Sequence, residues 1–393
     1  MVYYKSVIMR LTAFSLCAMF LPAVGLEAFG NDGAVTESTI EYRIRHRTFP
    51  SVFQAWNPAD NLDEDPTVTE ARHDLIFHGE SFYGLQWDGA SPGMATGFIP
   101  ESIPLGLRRR QDLLQKNPNI ILLLELRYRD AHRSFLPEGH AWWKRDADGK
   151  IVPGWEEEGY LQLDFSNPQF RECVAKRAEA AVKSGVVDGV MLDWWGDDED
   201  RLLLVKEIRT RIGDDALILA NANDTPTPRT APFINGYFME CFRSQTLEDW
   251  NRIAATLTWA ERTLRAPRIN CVETWFHKSR SDEHLMRATT ALVLVLSDGY
   301  CLFSDPNPLP TPDHLHNWYQ FWEKRLGRPL APGVKRPDGA MSRDFAFGTA
   351  TYNPMGNEPV TISFGEPRTS ITTGKRSRTH TVAPCDGDLF LKQ

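Results

Sequence analysis

Short apolar runs recur along this chain and alternate with amphipathic stretches of helical period. The runs that read as strands are Ser51–Trp56, Phe82–Trp87, Ile120–Arg127, Asp188–Trp194, Ala216–Ala222, Gly236–Cys241, Arg268–Thr274 and Gly299–Phe303. Continuous apolar runs of this kind are what parallel strands covered by helices on the outside require. Between them the pattern predicts helices over Pro104–Asn117, Pro168–Ser184, Arg201–Ile212, Glu283–Leu296 and His314–Leu326, with another opened by Thr246. Ser166 with Gln169 has the spacing of a capping box, and Gly185 and Gly213 follow helix ends. Strand and helix alternating over residues 47–330 predict an α/β fold of the (β/α)8 TIM-barrel type. A doubly wound open sheet would carry a glycine-rich phosphate turn after its first strand. Trp56-Asn57-Pro58-Ala59-Asp60 is no such turn.

The texture changes beyond Pro329. Prolines and glycines form a linker, and then Phe345–Tyr352, Glu358–Phe364, Thr369–Thr372, Thr379–Val382 and Asp388–Leu391 read as short strands between turns. Residues 337–393 are therefore expected to form a small C-terminal β-sandwich domain. At the other end, Lys5 and Arg10 precede an apolar segment, Leu11–Leu26. That is the layout of a secretory signal peptide over residues 1–25, with a linker over 26–46 and a secreted or periplasmic location. No further stretch is long and apolar enough to span a bilayer, so no stable membrane insertion is expected after cleavage.

Composition narrows the partners. A formal charge of −8 argues against a nucleic-acid partner. Of the six cysteines, those beyond the leader show no metal-ligand spacing and no disulfide framework, and Cys241, Cys271 and Cys301 fall in predicted strands as buried thiols, with a single disulfide as the alternative. The ten histidines show no metal pattern; His314-x-His316 opens a predicted helix. No metal and no other cofactor is expected. The twelve tryptophans are more informative. Trp56, Trp87, Trp194, Trp195 and Trp275 stand at predicted strand ends, and Trp142, Trp143 and Trp155 share the long loop 129–163. Rings there can stack on sugars or pack the barrel rim.

The densest signal is Asp188-Gly189-Val190-Met191-Leu192-Asp193-Trp194-Trp195. A buried strand here ends in a carboxylate and two indoles, and residues at the C-terminal ends of barrel strands face the active site. Glycoside cleavage needs two carboxyls across one bond, one to attack or activate water and one to donate a proton. Asp193 suits the first role; its alternative is a structural cap. Glu240, a charged residue in the apolar run Gly236–Cys241, needs a partner or a task and suits the second role. Glu273 competes for that role. Glu125 and Arg127 share one face of a strand and either bind sugar hydroxyls or form a buried ion pair. Asp88, Asn221 and Asn223, with Trp56, Trp87, Trp194, Trp195, Glu273 and Trp275, complete the expected substrate-binding set.

Three segments carry a resemblance: Trp142-Trp143-Lys144-Arg145-Asp146 with Asp148-Gly149, Leu163-Asp164-Phe165-Ser166-Asn167-Pro168, and Asp188 to Asp193. Together with Tyr352-Asn353-Pro354 before a Val-Thr-Ile strand, they resemble bacterial TIM-barrel glycoside-hydrolase-like proteins distantly related to α-galactosidases and polygalactosaminidases. The resemblance implies a nucleophilic Asp at the end of the fourth strand, which falls on Asp193. It implies an acid in the sixth-strand region, which falls on Glu240 where those relatives have Asp. The expected function is hydrolysis of glycosidic bonds in an oligo- or polysaccharide. The alternatives are a non-catalytic carbohydrate-binding barrel and a metal-dependent barrel hydrolase. Sugar identity, stereochemical course and oligomeric state are not legible.

Overall fold

The computed structural model describes residues 38–155, 159–305 and 313–392. The expected signal peptide and the first part of the expected linker lie outside the described residues. In chain order the helices are α1 (Ile40–His46), α2 (Pro66–Ala71), α3 (Ser102–Lys116), α4 (Pro168–Lys183), α5 (Glu199–Ile212), α6 (Leu247–Thr263) and α7 (Glu283–Leu296). The strands are β1 (Phe53–Ala55), β2 (Leu75–His78), β3 (Ile121–Glu125), β4 (Asp130–His132), β5 (Tyr160–Gln162), β6 (Gly189–Leu192), β7 (Leu217–Asn221), β8 (Gly236–Cys241), β9 (Cys271–Trp275) and β10 (Tyr300–Ser304), followed by β11 (Val334–Lys335), β12 (Met341–Phe345), β13 (Gly348–Asn353), β14 (Val360–Ser370), β15 (Arg376–Val382) and β16 (Asp386–Leu391).

Eight strands pair in parallel in the order β1-β2-β3-β6-β7-β8-β9-β10. A parallel bridge from Val52 to Cys301 joins the first to the last and closes the barrel. The interior is filled by Phe53, Phe77 and Phe238, whose rings lie 5.0–6.1 Å apart. The barrel is thus a packed core, with room for chemistry only at the strand ends. The Asp-Gly start of β6 has a steric cause: a Cβ on Gly189 would sit 2.1 Å from the Leu217 carbonyl oxygen of β7.

Two expected elements differ. The second strand is Leu75–His78, and Phe82–Trp87 instead holds the end of a 3-10 turn, Glu80–Tyr83, and a loop. The stretch His314–Leu326 is largely irregular with a 3-10 turn, Gln320–Glu323, because His316 bridges Ala59 in extended conformation. Local starts also shift by a residue. Asn167, not Ser166, caps α4, accepting from the Gln169 and Phe170 amides with Pro168 in the first turn. Asp282 caps α7, accepting from the His284 amide. Thr246 caps α6 in a reciprocal box with Asp249.

The last part of the expected linker, Ile40–His46, is a helix, and it is tied to the barrel by charge. Buried Arg43 and Arg110 both donate to Asp188 at the foot of β6, with Arg110 at 2.7 Å, and the Leu122 amide donates to the same carboxylate at 2.9 Å. Burial would raise the Asp188 pKa, but Arg110 and Arg43 override it and hold the carboxyl below its usual range. Asp188→Asn removes the buried carboxylate to which both guanidiniums donate and is expected to cost about 3–5 kcal/mol in urea unfolding. Because the folded pKa is depressed, this contribution is complete above the unfolded carboxyl pKa of about 3.9 and is lost as pH falls through the folded value. An unchanged unfolding midpoint in the variant would contradict this.

The C-terminal strands form one six-stranded antiparallel sheet, β11-β12-β13-β16-β14-β15. β14 unites two of the expected strands through a register shift between Ser363 and Arg368 and pairs with both β15 and β16. The sheet encloses a small core of its own, Ala340, Val360, Ile362, Val382 and Phe390, while Leu389 and Ala350 join the main core. It docks on α7 so closely that a Cβ on Gly387 would meet the Ala291 Cβ at 2.1 Å. All five described cysteines are buried and free. No helix among the described residues is long and apolar enough to cross a membrane.

Candidate active site

Backbone strain marks one end of the barrel. Five non-glycine residues have positive φ among the described residues: Trp56, Trp194, Asn223, His314 and Cys385. The first four follow β1, β6, β7 and the β10 connection, all at the C-terminal mouth. Left-handed backbone is costly for a bulky residue and collects at functional sites.

At that mouth one amide joins two carboxylates. Asn221, the last residue of β7, donates from Nδ2 to Asp193 Oδ1 at 2.8 Å and to Glu240 Oε2 at 2.8 Å. The two N–H groups of a primary amide are thereby both used. Two oxygens 2.8 Å from one nitrogen are at most about 5.6 Å apart, closer than the roughly 6.5–9.5 Å that an inverting pair needs to admit its water. The Asn221 carbonyl accepts from the Asn223 amide at 3.2 Å, which fixes its orientation.

The surroundings separate the two carboxyls. Asp193 and Glu240 are both half-buried. Burial raises the Asp193 pKa, and the Arg127 charge and the Asn221 hydrogen bond oppose the rise. Burial raises Glu240 well above the usual carboxylate range, with the charges of Glu273 and Asp193 adding to the effect against His314. A guanidinium beside one carboxyl and two carboxylates beside the other favour an ionised Asp193 and a protonated Glu240.

Glu125 and Arg127 form an ion pair, Nε to Oε1 at 2.9 Å, and Trp56 Nε1 donates to Glu125 Oε2 at 2.8 Å. Glu125 is thus engaged, and its partner Arg127 faces Asp193. Trp56 forms floor: its ring lies 4.8 Å from Phe77 and 5.0 Å from His314. Glu273 is 0% exposed and accepts from His314 Nδ1 at 2.8 Å, from Ser304 Oγ and from Trp275 Nε1 at 3.2 Å. Three donors leave it poorly suited to deliver a proton. Trp194, 48% exposed, and Phe242, 42% exposed, offer open rings beside the site, and Trp275 lies 6.0 Å from Phe242. The Arg129 guanidinium covers one face of Trp194 at 4.3 Å.

Other expected residues lie elsewhere. Trp87 is 5% exposed and packs between Phe98 at 4.1 Å and Arg177 of α4 at 3.8 Å, so neither it nor the adjacent Asp88 stands at a strand end. Trp195 is buried, donating to Thr230 at 3.0 Å. Trp143 donates to the Pro137 carbonyl, and Trp142 packs 5.3 Å from Phe170 of α4. The long loop instead folds as the β4–β5 hairpin and sends Tyr160 to within 5.0 Å of the Arg127 guanidinium. Tyr160, His314 and Phe242 are site residues that periodicity and strand-end reading did not single out.

Glu240, Glu273 and His314 each offer a potential metal-ligating atom, all within 4.8 Å of one another. His314, however, directs Nδ1 to Glu273 at 2.8 Å and Nε2 towards Asp313 at 3.6 Å. Burial would lower its pKa, but the Glu273 carboxylate outweighs that and raises it well above the usual imidazole range.

No protein-family model and no curated protein sequence matches the chain. Solved structures do match in fold. An α-amylase from Malbranchea cinnamomea aligns with a TM-score of 0.52 at 10% identity, over 90% of this chain and 97% of that one. The Nostoc punctiforme debranching enzyme aligns with a TM-score of 0.50 at 12% identity, over 90% of this chain and 99% of that one. The chain is similar to both in fold alone, a parallel eight-stranded barrel.

Proposed function

We propose that this protein is a glycoside hydrolase acting on an oligo- or polysaccharide, with Asp193 as nucleophile and Glu240 as acid/base. The observation that carries the reading is the shared Asn221 amide, which holds the two carboxyls close enough to favour a retaining course. In that course the Asp193 carboxylate attacks the anomeric carbon while Glu240 gives its proton to the departing glycosidic oxygen. Glu240, then a carboxylate, takes a proton from the water that releases the sugar from Asp193. Arg127 favours the ionised Asp193 before attack, and the open rings of Trp194 and Phe242 provide stacking surfaces.

The motif resemblance to glycoside-hydrolase-like barrels with α-galactosidase and polygalactosaminidase kin supports this reading. So does the fold shared with an α-amylase and a debranching enzyme. The leader-like segment supports export to the periplasm or beyond. The test is a panel of aryl glycosides and polysaccharides that includes α-galactosides, galactosamine polymers and α-glucans. Hydrolysis of at least one, with net retention in the first-formed product, is expected. Binding without turnover across the panel would contradict it.

A further inference from the structure

We propose that Glu273 and His314 are positioning residues of this site: Glu273 takes the hydrogen bond of the His314 imidazolium that stands beside both carboxyls, so that Glu240 keeps the proton it must deliver. This rests on the glycosidase reading and adds how the site governs its own proton.

Glu240 and Glu273 are direct neighbours across β8 and β9, in register and on the same face. Two carboxyls so placed in a buried setting cannot both ionise without a cation between or beside them. The cation is His314, and its hydrogen bonds are unequally shared. Its Nδ1 lies 2.8 Å from Glu273 Oε1. Glu273 also accepts from Ser304 Oγ and Trp275 Nε1. Among the described residues the Glu240 carboxyl accepts one hydrogen bond, from the Asn221 amide that also serves Asp193. Three donors, one of them cationic, stabilise charge on Glu273. Half an amide leaves the proton on Glu240.

The imidazole is fixed where it stands. Its ring packs against Trp56 at 5.0 Å and Phe238 at 5.8 Å. Its backbone takes a left-handed φ of 55°, and its carbonyl accepts from His316 Nδ1 at 3.0 Å. His316 in turn meets His73 at 2.9 Å in full burial. The charged and titratable groups facing the pair are Asp193 from β6, Glu240 from β8 and Asp313 beside His314, with the Glu125–Arg127 pair of β3 beyond Asp193.

Removal of Glu273 releases the imidazolium to pair with Glu240 instead. Removal of His314 leaves two neighbouring carboxyls to share one proton. The basic limb of the pH profile of kcat/KM, where Glu240 loses its proton, therefore shifts in opposite directions. In Glu273→Gln it moves down by about 1–3 pH units, and neutral-pH activity falls roughly tenfold or more. In His314→Gln it moves up by a similar amount. The Glu273→Gln/His314→Gln double variant, which removes both charges, returns towards the wild-type limb. A residue that merely supports the fold would not give opposite shifts that cancel. The same pair is read without substrate by 15N NMR titration of the wild-type protein, in which His314 stays protonated through neutral pH. A His314 found neutral at pH 7, or single variants that fold yet shift the limb the same way or not at all, overturns the proposal. If no glycoside is hydrolysed the glycosidase reading fails, whereas the imidazole titration still tests the pair.

Discussion

Asp193→Asn abolishes turnover while the barrel stays folded. The side chain is half-buried at the open end of the barrel, and the amide keeps an oxygen for the Asn221 hydrogen bond at Oδ1. Shape is therefore conserved and only the charge is lost. A neutral amide does not attack an anomeric carbon, and the remaining route is unassisted water. The expected loss in kcat is roughly 10³-fold or more, with little change in melting temperature. Near wild-type rates on a responsive substrate would remove Asp193 from the mechanism.

Glu240→Gln gives a graded loss. Substrates with poor leaving groups need the proton most and lose about 10²–10⁴-fold, while aryl glycosides with acidic phenols lose much less. The variant also loses the basic limb of its pH profile, because the group that titrates there is gone. In the wild type that limb lies above the ordinary carboxylate range, since burial raises the folded Glu240. Equal losses on good and poor leaving groups would argue against an acid role. The same graded pattern in Glu273→Gln, with its basic limb lost rather than shifted, would move the role to Glu273.

Most barrel strands are legible because a strand buried on both faces must be apolar without interruption. Ile121–Glu125 and Leu217–Asn221 read that way at sight. The second strand is not, because its apolar part is only Leu75-Ile76-Phe77 between Asp74 and His78, while the nearby aromatics of Phe82–Trp87 mimic a longer strand. Those aromatics pack the barrel exterior, with Trp87 against Arg177 of α4. The predicted helix over His314–Leu326 fails for a tertiary reason. Its aromatic spacing is real packing, as Trp318 and Trp322 lie 5.6 Å apart, but the His316–Ala59 bridge straightens the backbone ahead of them.

The site is legible where one residue ends one strand, as with Asp193 and Glu240. It is not legible where function comes from convergence of distant segments. His314 has no sequence neighbour that betrays it, since Glu273 comes from β9 and Glu240 from β8. Asn221 reads as a sugar-binding amide, and only three-dimensional contact shows it clamping both carboxyls. Tyr160 enters from a hairpin within a loop whose tryptophans drew attention, although two of them are packing.

The most direct test is to trap the covalent intermediate. The wild-type protein is incubated with activated 2-deoxy-2-fluoro glycosides of the sugars found reactive, and the labelled peptide is read by mass spectrometry. One glycosyl group on Asp193, accumulating further in Glu240→Gln with an activated donor, is the predicted result. A label on any other carboxylate, or turnover with inversion and no label, would contradict the account.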